Sequence, residues 1–226
     1  MKLTKKRIGH LVIDKVQPNT IIGTAIVIPG LPQLIQKHAL VSFLYELGYE
    51  VWLPQLSGSW DSGNSFNPET HLDDLALLAS EAPQLQAMIG YSYGAGITAL
   101  FASKGLYRGR MGLIAPMLDY RPYSAQAASL ISYLEEFYPF SYRLAKDELL
   151  KHLQGELINP IETNPFPGTR YFLSFGSDDP DMDQPSIQSF SHLAGIQPYA
   201  APCTHSLDGF LADPIFKQNL KSFLQG

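Results

Sequence analysis

Gly90-Tyr91-Ser92-Tyr93-Gly94 sets a small hydroxyl between two tyrosines and fences all three residues with glycines. The run before it, QLQAMIG, has the apolar content of a short strand, and SYGAGITALFASK after it has the pattern of a helix. A G-x-S-x-G segment between strand and helix is where a nucleophilic serine belongs. Small residues two before and two after let the elements approach, and the strained turn lifts the hydroxyl clear of the sheet. The pattern alone is a modest signal, since ordinary glycine and serine frequencies produce it in roughly one chain in ten of this length. Its position between strand and helix raises it. The Tyr93 N–H, at the helix start, would then point at negative charge developing beside Ser92.

Two other groupings look like metal sites and fail on inspection. Asp179, Asp181 and Asp183 spell the opening of a calcium loop, but Gln184 stands where the sharp-turn glycine should be and Phe190 where the bidentate glutamate should be. His71, Asp73 and Asp74 fall on one helix, where only His71 and Asp74 share a face, so a solvated helix face is expected there and no metal. Cys203 reads as a small buried hydrophobe rather than a reactive thiol.

The elements that must position Ser92 alternate. A strand from Arg7 to Val16 is followed by IIGTAIVI, almost wholly apolar and therefore a central strand covered on both faces. A helix then runs over QLIQKHALVSFLYELG, with Gly48 as its stop. The strand YEVWLPQL, a polar loop from Ser57 to Asn67, and a helix opening at Pro68 behind an Asn67 cap come next. The strand QLQAMIG, its helix and the strand GRMGLIAP continue the series, which breaks between Met117 and Pro167. That stretch is too long for a loop and too short for a second domain, so it is expected to be a helical insertion. TRYFLSFG, PSIQSFSHLAG, IQPYAAP and DGFLADPIFKQNLKSFLQ then read as strand, helix, strand and a last helix. Strands separated by helices of this length imply a mostly parallel sheet with helices on both faces. The class is α/β, with residues 1–226 as one domain and 117–167 as a cap within it.

Around Ser92 the chain resembles the α/β-hydrolase family, and the resemblance runs from about Ile21 to the C-terminus. It implies the chain order nucleophile, acid, histidine, with the acid after a late strand and the histidine before the last helix. Gly176-Ser177-Asp178-Asp179 is similar to the family's G-x-x-D segment and puts Asp179 in the acid position. His205, in Cys203-Thr204-His205-Ser206-Leu207-Asp208-Gly209, matches the histidine loop; His10, His38, His71, His152 and His192 fall on predicted strands or helices. Asp119, after the strand GRMGLIAP, is the alternative acid, since some members carry it there, but it lacks the G-x-x-D context. The resemblance also implies an oxyanion hole of two backbone donors: Tyr93 N–H, and Leu31 N–H from the loop Pro29-Gly30-Leu31-Pro32, where Pro32 has no N–H to offer. Here Pro29 replaces the family's common histidine before the glycine.

These residues imply acyl transfer through Ser92, His205 and Asp179, on an ester or thioester with a small to medium acyl group and with no cofactor. Peptide, lipid and carbon-carbon bond cleavage stay open, and so does a non-catalytic ligand-binding or interaction role. A serine nucleophile excludes the family's carboxylate-dependent dehalogenase chemistry. Trp60 is expected at the mouth of the site or as a half-buried indole. Tyr120, Tyr123, Tyr133, Phe137, Tyr138 and Phe140 would either wall the pocket or pack the insertion onto the core. The net charge of -5, from 16 basic and 21 acidic residues, offers no footprint for nucleic acid. A single cysteine and the lack of an 18-residue apolar run point to a cytoplasmic protein that does not span a membrane. The oligomeric state is left open.

Overall fold

The computed structural model describes residues 2–32, 39–157, 159–165 and 167–226. The first expected strand is a hairpin: β1 (Leu3–Ile8) and β2 (Leu11–Val16) run antiparallel, with Ile8 opposite Leu11. Gly9, at φ 56°, and His10 make the two-residue turn. A positive φ is open to glycine without a Cβ clash, so the apolar run reverses there instead of continuing.

β3 (Gly23–Ile28), α1 (Ala39–Glu46), β4 (Tyr49–Gln55), α2 (Pro68–Glu81), β5 (Leu85–Tyr91), α3 (Tyr93–Ser103) and β6 (Arg110–Ile114) follow in the expected alternation. The expected start of the first helix, residues 33–38 including His38, lies outside the described residues. The Asn67 side chain accepts from the Thr70 N–H at 2.9 Å, capping α2 with Pro68 in its first turn. Between β6 and β7 (Arg170–Gly176) come a 3-10 turn at Arg121–Gln126, α4 (Ala127–Phe137), α5 (Lys146–Leu153) and a 3-10 turn at Pro160–Glu162. α6 (Gln184–Ala194) and β8 (Tyr199–Ala201) complete the sheet region.

The single C-terminal helix expected from the sequence is two helices, α7 (Leu207–Ala212) and α8 (Pro214–Gln225). Pro214 disfavours helical backbone at Asp213, which turns extended and caps α8 by accepting the Ile215 N–H at 2.9 Å.

The eight strands lie in the order β1-β2-β4-β3-β5-β6-β7-β8, parallel from β4 onward, with β2 antiparallel to both β1 and β4. Alternate residues of the central strands enter two separate cores. Ala25, Val27, Ala87, Ile89 and Leu113 face α1, α6 and α8, while Ile26, Ile28, Met88 and Met111 face α2 and α3. Burial on both faces explains why β3 is apolar without alternation.

This topology decides where chemistry can occur. In a run of parallel strands every loop after a strand leaves at the same edge, the usual position of ligand sites in such sheets. Segments 29–32, Ser92, 115–119, 177–183 and 202–206, far apart in the chain, therefore meet beyond the ends of β3, β5, β6, β7 and β8.

Candidate active site

Ser92 sits between β5 and α3 with φ 54° and ψ -121°, a left-handed conformation that costs a non-glycine residue of order 1–3 kcal/mol. The surroundings over-determine it. A Cβ on Gly90 would lie 2.4 Å from Ala95 Cα, and one on Gly94 would lie 2.3 Å from the Pro29 carbonyl oxygen. Both positions must be glycine for strand, helix and the end of β3 to close on one another.

The His205 imidazole bridges two partners. Its Nε2 is 2.9 Å from Ser92 Oγ and its Nδ1 is 2.7 Å from Asp179 Oδ2. The Asp179 side chain is fully buried, and its other oxygen accepts the Asp181 N–H at 3.0 Å. An ionised Asp179 accepts from Nδ1–H, which leaves Nε2 free to accept the serine proton. The loops carrying acid and histidine pack tightly, since a Cβ on Gly176 would meet the Cys203 carbonyl oxygen at 2.4 Å.

Asp119 is not in this line. Its carboxylate is gripped by Arg121 through contacts of 2.6–3.0 Å. Partial burial opposes its ionisation, but the hydrogen bonds and charge of Arg121 outweigh that and hold its pKa below the ordinary value. Tyr93 occupies the first turn of α3, where main-chain N–H groups have no helical acceptor. The Leu31 loop lies close by, because a Cβ on Gly30 would be 3.0 Å from Ser92 Cβ.

Ser92 and His205 open into a cavity of about 350 Å³ whose other walls are Met117, Tyr123, Gln126, Ala127, Leu130, Leu153, Asp181 and Met182. Of the expected aromatic walls only Tyr123 is there. Tyr120 is buried, whereas Tyr133, Phe137 and Phe140 are exposed, Phe140 at 94%. Tyr138 borders a separate groove beside Tyr142 and Lys146. Tyr120 and Tyr138 pack on the core, the other place expected for them, whereas Tyr133, Phe137 and Phe140 take neither place, because helical spacing cannot say which face of an inserted helix turns inward. Trp60 is half-buried and outside the described cavity wall. Its loop is tied to the insertion by bridges of Ser59 to Tyr142 and Phe66 to Leu144. Cys203 is half-buried rather than buried, and desolvation pushes its thiol pKa up.

The solvated helix face expected at His71 and Asp74 is instead a buried polar network, because the 57–67 loop closes over α2. Asp74 accepts from the Ser57 N–H at 2.6 Å and the Ser57 hydroxyl at 2.8 Å, and contacts His10 Nε2 at 2.8 Å. His71 Nε2 donates to the Ser57 carbonyl at 3.2 Å, so Nδ1 accepts the Tyr93 hydroxyl proton at 2.9 Å. Among the described residues no three His, Cys, Asp or Glu side chains converge as metal ligands, and no helix is long and apolar enough to cross a membrane.

No protein-family model and no curated protein matches the sequence. Solved structures do match in shape over nearly the whole chain. An esterase from Pyrococcus furiosus superposes with a TM-score of 0.72 at 17% identity, covering 99% of this chain and 91% of its own. An alpha/beta hydrolase from Penicillium sp. sh18 gives 0.72 at 12% identity, with 99% and 97% covered. The chain has the α/β-hydrolase fold. A thioesterase domain from the curacin biosynthetic pathway shares that α/β-hydrolase architecture with a TM-score of 0.64 at 14% identity, covering 97% of this chain and 99% of the domain. Within the α/β-hydrolase sheet, the Ser92 turn leaves the end of the central strand β5.

Proposed function

We infer that this chain is a serine hydrolase that cleaves an ester or thioester of a small to medium acyl substrate. The observation that carries the reading is the continuous contact from Asp179 through His205 to Ser92, opening on an apolar cavity. In this reading His205 takes the Ser92 proton as Oγ attacks the acyl carbon. Asp179 holds the imidazole in one tautomer and stabilises its charge. The backbone N–H groups of Leu31 and Tyr93 receive the developing oxyanion, where each such donor is worth about 2.7–4 kcal/mol in comparable sites. His205 then protonates the leaving group, and a water activated by the same base hydrolyses the acyl-enzyme.

Met117, Leu130, Leu153 and Met182 make an apolar seat for the acyl chain, and residues 117–167 act as a cap on a single catalytic domain. The side chains named supply each group the reaction needs without a cofactor. A lone cysteine that requires no oxidising compartment suits a cytoplasmic enzyme.

Labelling by a fluorophosphonate probe tests the reading. Wild type is expected to label on Ser92 and the Ser92→Ala variant not at all. Wild type that labels no better than Ser92→Ala would overturn it and favour a non-catalytic ligand-binding protein of the same fold.

A further inference from the structure

The tyrosine immediately before the nucleophile has a bond that the acyl-transfer scheme does not use. Tyr91 closes β5, and its hydroxyl donates to the main-chain carbonyl of His205 at 3.1 Å. Its ring lies 5.4 Å, centroid to centroid, from the imidazole. Gly30 makes room for it, since a Cβ there would meet the Tyr91 ring at 3.2 Å. Burial, followed by the carboxylate of Asp179, pushes the Tyr91 phenol up to about 12, so the hydroxyl stays a proton donor throughout the working range of a histidine base.

The base needs such an anchor. His205 lies on the short 202–206 connection between β8 and α7, whose own bonds secure its flanks: Asp178 N–H to the Cys203 carbonyl at 3.1 Å, and the Ser206 side chain capping α7 through Gly209 N–H. At His205 itself, the main-chain hydrogen bond found among the described residues comes from Tyr91. Tyr91 is joined to Ser92 by one peptide bond, so this contact ties the base to the nucleophile's own strand end. Sequence separations of 113 and 26 residues to Ser92 and Asp179 show how little the chain alone constrains His205.

We propose that Tyr91 is a positioning residue for His205. Its hydroxyl fixes the main chain of the base relative to Ser92, so that Nε2 meets Oγ in reactive geometry. The proposal rests on the serine-hydrolase reading. It predicts an effect on the chemical step with little effect on substrate binding, because Tyr91 is not part of the cavity wall.

The test is a double-mutant cycle of Tyr91→Phe and His205→Ala on p-nitrophenyl butyrate, with melting temperatures measured in parallel. Phenylalanine keeps the ring contacts and removes only the hydroxyl. Losing one hydrogen bond of ordinary net strength corresponds to about a three- to tenfold fall in kcat. KM is expected to stay near wild type and the melting temperature to fall by no more than about 2–6 °C. In the His205→Ala background the same substitution is expected to change the residual rate less than twofold, because no base is left to position. Full kcat in Tyr91→Phe, or the same fold-loss in both backgrounds, overturns the proposal. A His205→Ala variant as active as wild type would instead overturn the serine-hydrolase reading itself, and this proposal with it.

Discussion

Acidification should unfold this protein through two histidines that take no part in the proposed reaction. His71 on α2 and His152 on α5 are buried at 0% and 2% exposure on either side of Tyr93. Burial pushes each pKa down to about 3; at His71 the Ser57 carbonyl opposes the shift and His152 adds to it. The hydroxyls of Tyr93 and Tyr120 beside them are held neutral by the same burial, so neither supplies a negative charge to offset one placed there. A lowered native pKa means that the unfolded chain binds protons first as pH falls. The stability these histidines contribute is therefore fully present above the unfolded pKa, about 6.5, and is lost on the way down toward 3.

Between pH 6.5 and 4.5 the linkage relation with those two pKa values gives about 2.3 kcal/mol per histidine, or about 4.6 kcal/mol for the pair. The figure follows from the unfolded pKa and the pH interval, so it hardly depends on how far below 4.5 the native value lies. Asp74 works the other way: burial above all raises its pKa, so it takes a proton early in the folded state and offsets part of the loss as its own range is entered. Against a typical total of about 5–15 kcal/mol, the histidine term is large. For a chain of this size it corresponds to a melting temperature lower by roughly 9–18 °C at pH 4.5 than at 6.5, before the Asp74 offset.

Urea unfolding at half-unit pH steps is the assay. Near pH 5 the two histidines contribute about 2.7 kcal/mol per pH unit to the slope, from which the early protonation of Asp74 subtracts. His152→Phe, whose lost Nε2 has no hydrogen-bond partner among the described residues, should lower that slope by about 1.4 kcal/mol per unit. A wild-type slope below about 1 kcal/mol per unit, or an unchanged slope in His152→Phe, would refute the reasoning, since each buried neutral histidine must account for about 1.4.

Two further outcomes are expected of the site. Asp179→Asn should lower kcat by about four orders of magnitude through the wrong imidazole tautomer, while Asp119→Asn should leave kcat within a few fold; stopped assays on p-nitrophenyl butyrate decide it, and the reverse ranking would move the acid to the loop after β6. Leu130→Trp should cut the cavity short: wild type is expected to gain about fourfold in kcat/KM per methylene while the chain still fits, and the variant should lose that gain between butyrate and octanoate esters, whereas a parallel dependence in both proteins would place the acyl chain elsewhere.

The proposed reacting groups were legible in the sequence because each is marked by its immediate neighbours. Gly90 and Gly94 announce the sharp turn at Ser92, Gly176 the end of β7 before Asp179, and the parallel topology obliges the loop holding His205 to emerge beside them. The cavity walls carry no such mark. Whether Tyr123 or Phe140 turns inward depends on how α4 and α5 dock, a tertiary choice that their amphipathic spacing leaves free. The same limit hid the burial of His71 and Asp74: their i, i+3 spacing is that of any polar helix face, and only the long-range closure of the 57–67 loop over α2 removes it from water. The hairpin at Gly9 and the break at Asp213-Pro214 are a different case, in which one local residue overrode an apolar run or a helical periodicity that suggested continuity.

The two tyrosines beside Ser92 show why even a well-marked motif leaves part of its chemistry unread. A sharp turn sends successive side chains in divergent directions, so neighbours in sequence serve different surroundings. The Tyr93 side chain enters the buried cluster with His71. The Tyr91 hydroxyl crosses instead to the His205 carbonyl. Neither aromatic ring is needed to make the turn, which the glycines already permit. Each joins the turn to a segment that the backbone alone would leave less firmly placed: Tyr93 to α2 and the 57–67 loop, Tyr91 to the histidine loop. In the proposed reaction, a nucleophile held in a strained conformation gains nothing unless its base is held to the same frame, and the Tyr91 contact would supply that connection across 114 residues of chain.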